Sequence, residues 1–165
     1  MNRASTPSAW RWYALAAAVL AMDYATKLAV LASFAPGERL AVAPFLNLVL
    51  VFNTGAAFSF LAGAGGWQTF FFAAIAVAAS VVIGLLIARN RRKALFCSGL
   101  ALILGGALGN LHDRLVYGKV VDFLDFHAAG WHWPAFNVAD SAITVGAAIL
   151  ILESFLRKAP DETPA

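Results

Sequence analysis

Four apolar runs, each close to the length needed to cross a bilayer, fill most of this 165-residue chain. They limit what it can fold into more than any other feature. A hydrocarbon core about 30 Å thick is spanned by a helix of about 20 residues, and it admits only backbones whose polar groups are satisfied internally. The runs cover residues about 10–34, 66–88, 94–111 and 138–156. Charged residues make up 13% of the chain and hydrophobic ones 61%, whereas a soluble domain carries about 25% charge. No separate soluble domain fits. The sequence therefore predicts an all-α membrane protein with a small β element, built on four transmembrane helices. One four-span domain is expected over residues 1–158, followed by a disordered cytoplasmic tail at 159–165.

The first run begins like a secretory signal, with Arg3 and Arg11 ahead of apolar residues, but its apolar character resumes after Lys27 and makes it an uncleaved anchor. Trp10, Trp12 and Tyr13 sit where an interfacial aromatic belt is expected. Eight of the twelve Lys and Arg residues lie at the termini or in the turn after the second run: Arg3, Arg11, Arg89, Arg91, Arg92, Lys93, Arg157 and Lys158. The positive-inside rule then places both termini in the cytoplasm and the longer loops, about 35–65 and 112–137, outside. The net charge of +3 does not indicate nucleic acid, because these basic residues flank apolar runs and form no patch with interleaved aromatics. Cys97, the single cysteine, lies inside an apolar run and reads as a small core residue.

The outward loops contain β-branched and aromatic stretches at about 45–52 and 120–126. Both read as short strands of one small sheet against the outer helix ends, since backbone at that depth must be paired. Pleat geometry sends Asp122 and Asp125 to opposite faces of the second stretch.

Acids placed this deep are costly, at least about 2.5 kcal/mol each on insertion scales, so each calls for a partner, a wet cavity or chemistry. Asp23 precedes Lys27 by four residues, on one helix face, and a neutralising pair is expected there with a hydrogen bond added by Thr26. Gly105, Gly106 and Gly109 in the third run allow a neighbouring helix to come near. Asn110, Asp113 and Arg114 follow; Asp113 is a candidate partner for Arg114, whose guanidinium could instead orient a peptide carbonyl or a lipid phosphate. Asn137 and Asp140 open the fourth run at N-cap spacing, so Asp140 can be a capping partner or a reacting acid. Should Asp122 fold back to meet it, two like charges in a low-dielectric groove would share one proton at neutral pH. Other chemistries fit less well. His112, His127 and His132 form no dense metal motif, although the loop histidines could converge with Asp125 on zinc. No serine among Ser59, Ser80, Ser98, Ser141 and Ser154 sits in a nucleophile-elbow motif. Trp131 and Trp133 read as interfacial anchors.

Four ordered segments together resemble a known family: Asp23-Tyr24-Ala25-Thr26-Lys27; Asn53-Thr54-Gly55-Ala56-Ala57-Phe58; Gly109-Asn110-Leu111-His112-Asp113-Arg114 with Val120-Val121-Asp122-Phe123; and Phe136-Asn137-Val138-Ala139-Asp140-Ser141. The resemblance is to lipoprotein signal peptidase, the bacterial signal peptidase II, and it covers nearly the whole chain. It implies an aspartyl endopeptidase of the bacterial cytoplasmic membrane that cleaves diacylglyceryl-modified prolipoproteins before the lipidated cysteine. By that resemblance Asp122 and Asp140 are the catalytic dyad. Asn53, Arg114 and Asn137 hold the peptide or the carboxylates, and Asp23 and Asn110 play supporting parts. Gly55 with its neighbouring alanines would let the outward loop close over the peptide and move during turnover. The expected partners are prolipoprotein substrates and membrane lipid, with no nucleic acid, no metal and no other cofactor, in a monomer whose site faces outward. Two rival classes remain: a small transporter or proton relay, which would thread acids through the middle of several spans, and a non-enzymatic assembly factor docking through the Gly-rich third run. Cleavage of an acylated precursor peptide separates all three.

Overall fold

The computed structural model describes residues 8–55, 61, 63 and 65–157. Ala56, Ala57, Phe58 and Ser59, and the tail expected at 159–165, lie outside them. Four helices of bilayer-crossing length and composition are present: α1 (Trp10–Ser33), α2 (Trp67–Asn90), α3 (Ala94–Tyr117) and α4 (Val138–Arg157). Between α1 and α2 run β1 (Arg39–Ala43) and β2 (Leu46–Asn53), and between α3 and α4 run β3 (Val120–Ala128) and β4 (Trp131–His132). The strands form one antiparallel sheet in the order β1-β2-β3-β4. The two strands expected from the sequence are its centre, β2 and β3; β1 and β4 extend it on either side.

Helix α3 is the axis of the bundle, because it is the helix whose sequence is small enough to be approached from several directions. A Cβ on Gly105 would strike the Ala16 carbonyl and Val19 of α1, and one on Gly106 would strike Ala139 and Ile143 of α4. Gly99 and Gly146 meet backbone to backbone, each filling the space a Cβ of the other would need. Such small-residue contacts replace the hydrophobic drive that is missing between helices in lipid. Ile83 and Ile87 of α2 pack with Ala16 of α1 and with Leu100, Ala101 and Leu104 of α3. Helix α2 turns its bulkiest side chains outward, Phe70 at 78% exposure, as expected of a lipid-facing surface. A second core, of Val30, Leu50, Val121 and Phe123, fastens the sheet to the end of α1.

The bundle therefore has two unlike ends. At one, the Trp12 indole donates to the Arg91 carbonyl (3.2 Å) in the basic α2–α3 turn, and fully buried Cys97 donates to the Asn90 carbonyl (3.2 Å). At the other lie the sheet, the C-termini of α1 and α3 and the N-termini of α2 and α4.

Helix α3 continues six residues beyond the end at 111 expected from hydropathy, through His112, Asp113 and Arg114, and stops at Gly118. That glycine is left-handed (φ 69°), and its N–H donates to the Arg114 carbonyl at 3.1 Å. The charged residues that suggested an end are helical because Asp113 is turned inward and neutralised.

Candidate active site

The sheet end of the bundle holds a connected set of buried polar side chains. Its base is Lys27, 2% exposed, whose ammonium lies 2.8 Å from both Asp23 and Asp113 and donates to the Asn110 carbonyl oxygen at 3.1 Å. The expected Asp23–Lys27 pair is there, with Asp113 as a second acid. Two expectations are corrected. Asp113 does not pair with Arg114, because consecutive helical residues point in different directions; it binds Lys27 and accepts the Val121 N–H at 3.0 Å. Thr26 does not join the pair either: its hydroxyl donates to the Met22 and Asp23 carbonyls, both at 2.9 Å, the usual alternative for a threonine within a helix.

From this base the network rises to the two candidate acids. Asn110, its carbonyl oxygen held by Lys27, donates through its amide nitrogen to Asp140 Oδ1 at 2.8 Å. Asn137 donates to Asp122 Oδ1 at 2.7 Å, with longer contacts to the Val121 carbonyl (3.1 Å) and Asn110 Oδ1 (3.3 Å). Asn137 and Asp140 also form a reciprocal capping box: Asp140 N–H donates to Asn137 Oδ1 (2.9 Å) and Asn137 N–H to Asp140 Oδ2 (3.3 Å). Another first-turn amide, Ala139 N–H, donates to Asp23 at 2.8 Å. Asp140 is thus a capping residue and a groove residue at once. The cap and the place in the groove are compatible, since the cap occupies only part of its hydrogen-bonding capacity.

Asp122 and Asp140 line one groove of about 570 Å³. Asn53, Asn110 and Arg114 complete its polar floor; Phe72, Ile75, Ala76 and Ala79 of α2 and Ile143 and Val145 of α4 form apolar walls. The segment Trp133-Pro134-Ala135-Phe136 closes another side. Among the described residues no cation lies within ion-pair distance of Asp122 or Asp140. Burial and then the neighbouring Asp140 charge push the Asp122 carboxyl up to about 7, against hydrogen bonds from Asn53 and Asn137 and the more distant Lys27 charge.

Gly55 does not line the groove. It is buried beside it, its N–H donating to Asn53 Oδ1 at 2.9 Å and its carbonyl accepting from Arg114 at 2.9 Å. Arg114 also reaches the Asn110 carbonyl at 3.2 Å and lies over the Phe72 ring, so its first task is to tie the loop after β2 to α3. Asp122 and Asp125 face different surroundings, as the pleat requires, Asp125 meeting Asn47 and His132. His127 stacks on His132, yet the described residues contain no group of three His, Cys, Asp or Glu side chains placed to hold a metal. Trp131 and Trp133 are both exposed, and Trp133 is also part of the groove wall. The sequence reading missed three things: Lys27 as the hub beneath Asn110, the α2 face and the Trp133–Phe136 wall. Only the first carried a signal, a lysine inside an apolar run.

The pattern of the family "Signal peptidase (SPase) II" matches residues 15–156. A lipoprotein signal peptidase of Paraburkholderia phymatum is 58% identical over 146 residues, 88% of each chain. One of Burkholderia mallei is 56% identical with the same coverage, and one of Ralstonia nicotianae is 56% identical over 88% of this chain and 84% of its own. A bacterial membrane enzyme solved in meso at 2.3 Å resolution superposes with a TM-score of 0.83 at 28% identity, over 94% of this chain and 93% of the other. A second, at 1.9 Å, gives 0.77 at 31% identity, over 90% and 94%.

Proposed function

The chain belongs to the signal peptidase II family of aspartic-type bacterial membrane peptidases, and on that premise we propose that Asp122 and Asp140 are its catalytic dyad. The substrate is a prolipoprotein whose signal helix lies in the membrane and whose cysteine carries diacylglycerol. One observation carries this assignment: two carboxylates line a single groove, held by amides and with no cation in ion-pair contact with either among the described residues.

Asp122, only 2% exposed, holds the shared proton, because burial penalises its charge most. Asp140 is the ionised partner, oriented by Asn110 and its own helix cap. A water between them gives a proton to Asp140 as its oxygen attacks the scissile carbonyl carbon, and Asp122 protonates the carbonyl oxygen. The tetrahedral diol then collapses: Asp140 returns its proton to the departing amine while the hydroxyl proton goes back to Asp122. No covalent adduct and no metal is required. The apolar α2 and α4 faces of the groove suit the signal helix, and its polar floor suits the peptide at the cut.

The ends of the bundle support a site on the outer face of the cytoplasmic membrane. Arg89, Arg91, Arg92 and Lys93 gather opposite the sheet, so the basic end, with the start of α1 and the end of α4, lies toward the cytoplasm. The groove opens within a single chain, and the protein works as a monomer over its 1–158 domain. Purified protein is expected to cleave an acylated precursor peptide in EDTA as fast as without it. Loss of cleavage in EDTA that zinc restores would instead favour a metal enzyme.

A further inference from the structure

The wall Trp133-Pro134-Ala135-Phe136 is thin. Trp133 and Phe136 line the catalytic groove on one side and, on the other, a second cavity of about 450 Å³ shared with Phe45, Phe126, His127 and Trp131. Ring contacts of Phe136 with Phe126 (5.8 Å between centroids) and of Trp133 with Trp131 (5.7 Å) are what the segment packs on, so its position depends on the strands at its two ends. At the Phe136 end the backbone is well held: Phe136 N–H donates to the Leu124 carbonyl at 3.1 Å, and the Phe136 carbonyl accepts from Phe123 and Leu124 at 3.0 and 2.8 Å. At the other end Trp133 N–H donates to the Phe126 carbonyl at 2.8 Å, and ahead of it comes β4, which has two residues, both exposed. A strand that short is marginal by backbone pairing alone.

A further hold on β4 is a side-chain cluster outside the catalytic network. His132 Nδ1 lies 2.8 Å from Asp125 Oδ1, and Asp125 is buried at 4% exposure in β3. Asn47, its direct cross-strand partner in β2, donates to Asp125 Oδ2 at 2.9 Å, and Arg39 of β1 approaches the same oxygen at 3.6 Å. The His132 ring stacks on His127 at 5.1 Å between centroids. One buried carboxylate thus gathers all four strands, and the residue it grips immediately precedes the wall. The same Asp125 faces away from Asp122, so it takes no part in the proton transfers.

We propose that Asp125 and His132 are positioning residues for substrate selection, holding the Trp133–Phe136 wall so that the groove grips the peptide beside the scissile bond. The proposal rests on the catalytic reading above. It predicts a defect in substrate capture that leaves the dyad intact. His132→Phe and Asp125→Asn should each raise KM for an acylated precursor peptide about tenfold while kcat stays within about twofold. His132→Asn, whose amide nitrogen can replace Nδ1 as donor, should restore most of the affinity. Exposed His132 tolerates substitution, so its variants remain informative should Asp125→Asn fail to fold. An unchanged KM in His132→Phe, a loss confined to kcat, or a KM in His132→Asn as poor as in His132→Phe would overturn the proposal. A parent enzyme that does not cleave the peptide would instead overturn the catalytic reading; equal peptide affinity of Asp122→Asn with and without His132→Phe would still count against this one.

Discussion

Asp23 with Asp113, and Asp122 with Asp140, are two pairs of acids in one connected network, and they meet opposite surroundings. The first pair has the Lys27 ammonium between its members at 2.8 Å from each, and each acid also accepts a backbone N–H. The second pair is hydrogen-bonded by amides, Asn110 on Asp140 and Asn53 and Asn137 on Asp122, with Arg114 in the groove but in ion-pair contact with neither. A cation compensates two buried negative charges; amides orient a carboxylate without cancelling it. The deeper pair is compensated by its lysine, while the pair at the groove is oriented by amides without a cation in contact. What separates a strut from an uncompensated pair here is one lysine, not the depth of burial.

The contrast can be broken most sharply at the groove. Asp122→Asn and Asp140→Asn should each lower turnover about 10³-fold, because an amide keeps the hydrogen bonds but cannot shuttle a proton. Thermal unfolding in detergent should stay near the parent's; a matching loss of stability would make the two pairs equivalent. At the base the pattern should reverse. Lys27→Met leaves two buried carboxylates without their cation and should cost about 3–5 kcal/mol of stability, with turnover falling as Asn110 loses the partner that fixes its amide. Adding Asp23→Asn and Asp113→Asn to that variant should recover more than half of the stability, read from the same melts. A Lys27→Met protein as stable as the parent would show that the base is no strut.

The smallest effect sharpens the comparison through pH. Asp122 binds its proton up to about 7 in the folded protein, against 3.8 for an ordinary aspartate. Its folded pKa is raised, so the stability it contributes is fully present below 3.8 and is lost as pH rises through about 7. Turnover should fall over the same upper range, by about tenfold per pH unit once the shared proton is gone. A rate that stays flat from about pH 6 to 9 would place the proton elsewhere.

Much of this was legible because the signals were local. Span lengths follow from hydropathy, the α4 cap from Asn137 and Asp140 three residues apart, and the sheet centre from β-branched runs. The misreadings share one cause. Adjacency in the sequence suggests Arg114 as the partner of Asp113, although that partner is Lys27 on another helix; the first charges suggest an end to the third span, although Asp113 is buried against Lys27. Strands β1 and β4 are five and two residues long, too short to stand out, and exist because β2 and β3 offer them edges.

By itself the chain's chemistry determined the solvent, the four crossings and the short inventory of acids, since the cost of an apolar run in water or an ion in lipid depends on residue type alone. Which acid meets a cation and which meets an amide was decided only in three dimensions. That choice depends on distances between side chains of different helices, set by the glycines that let α1 and α4 close upon α3.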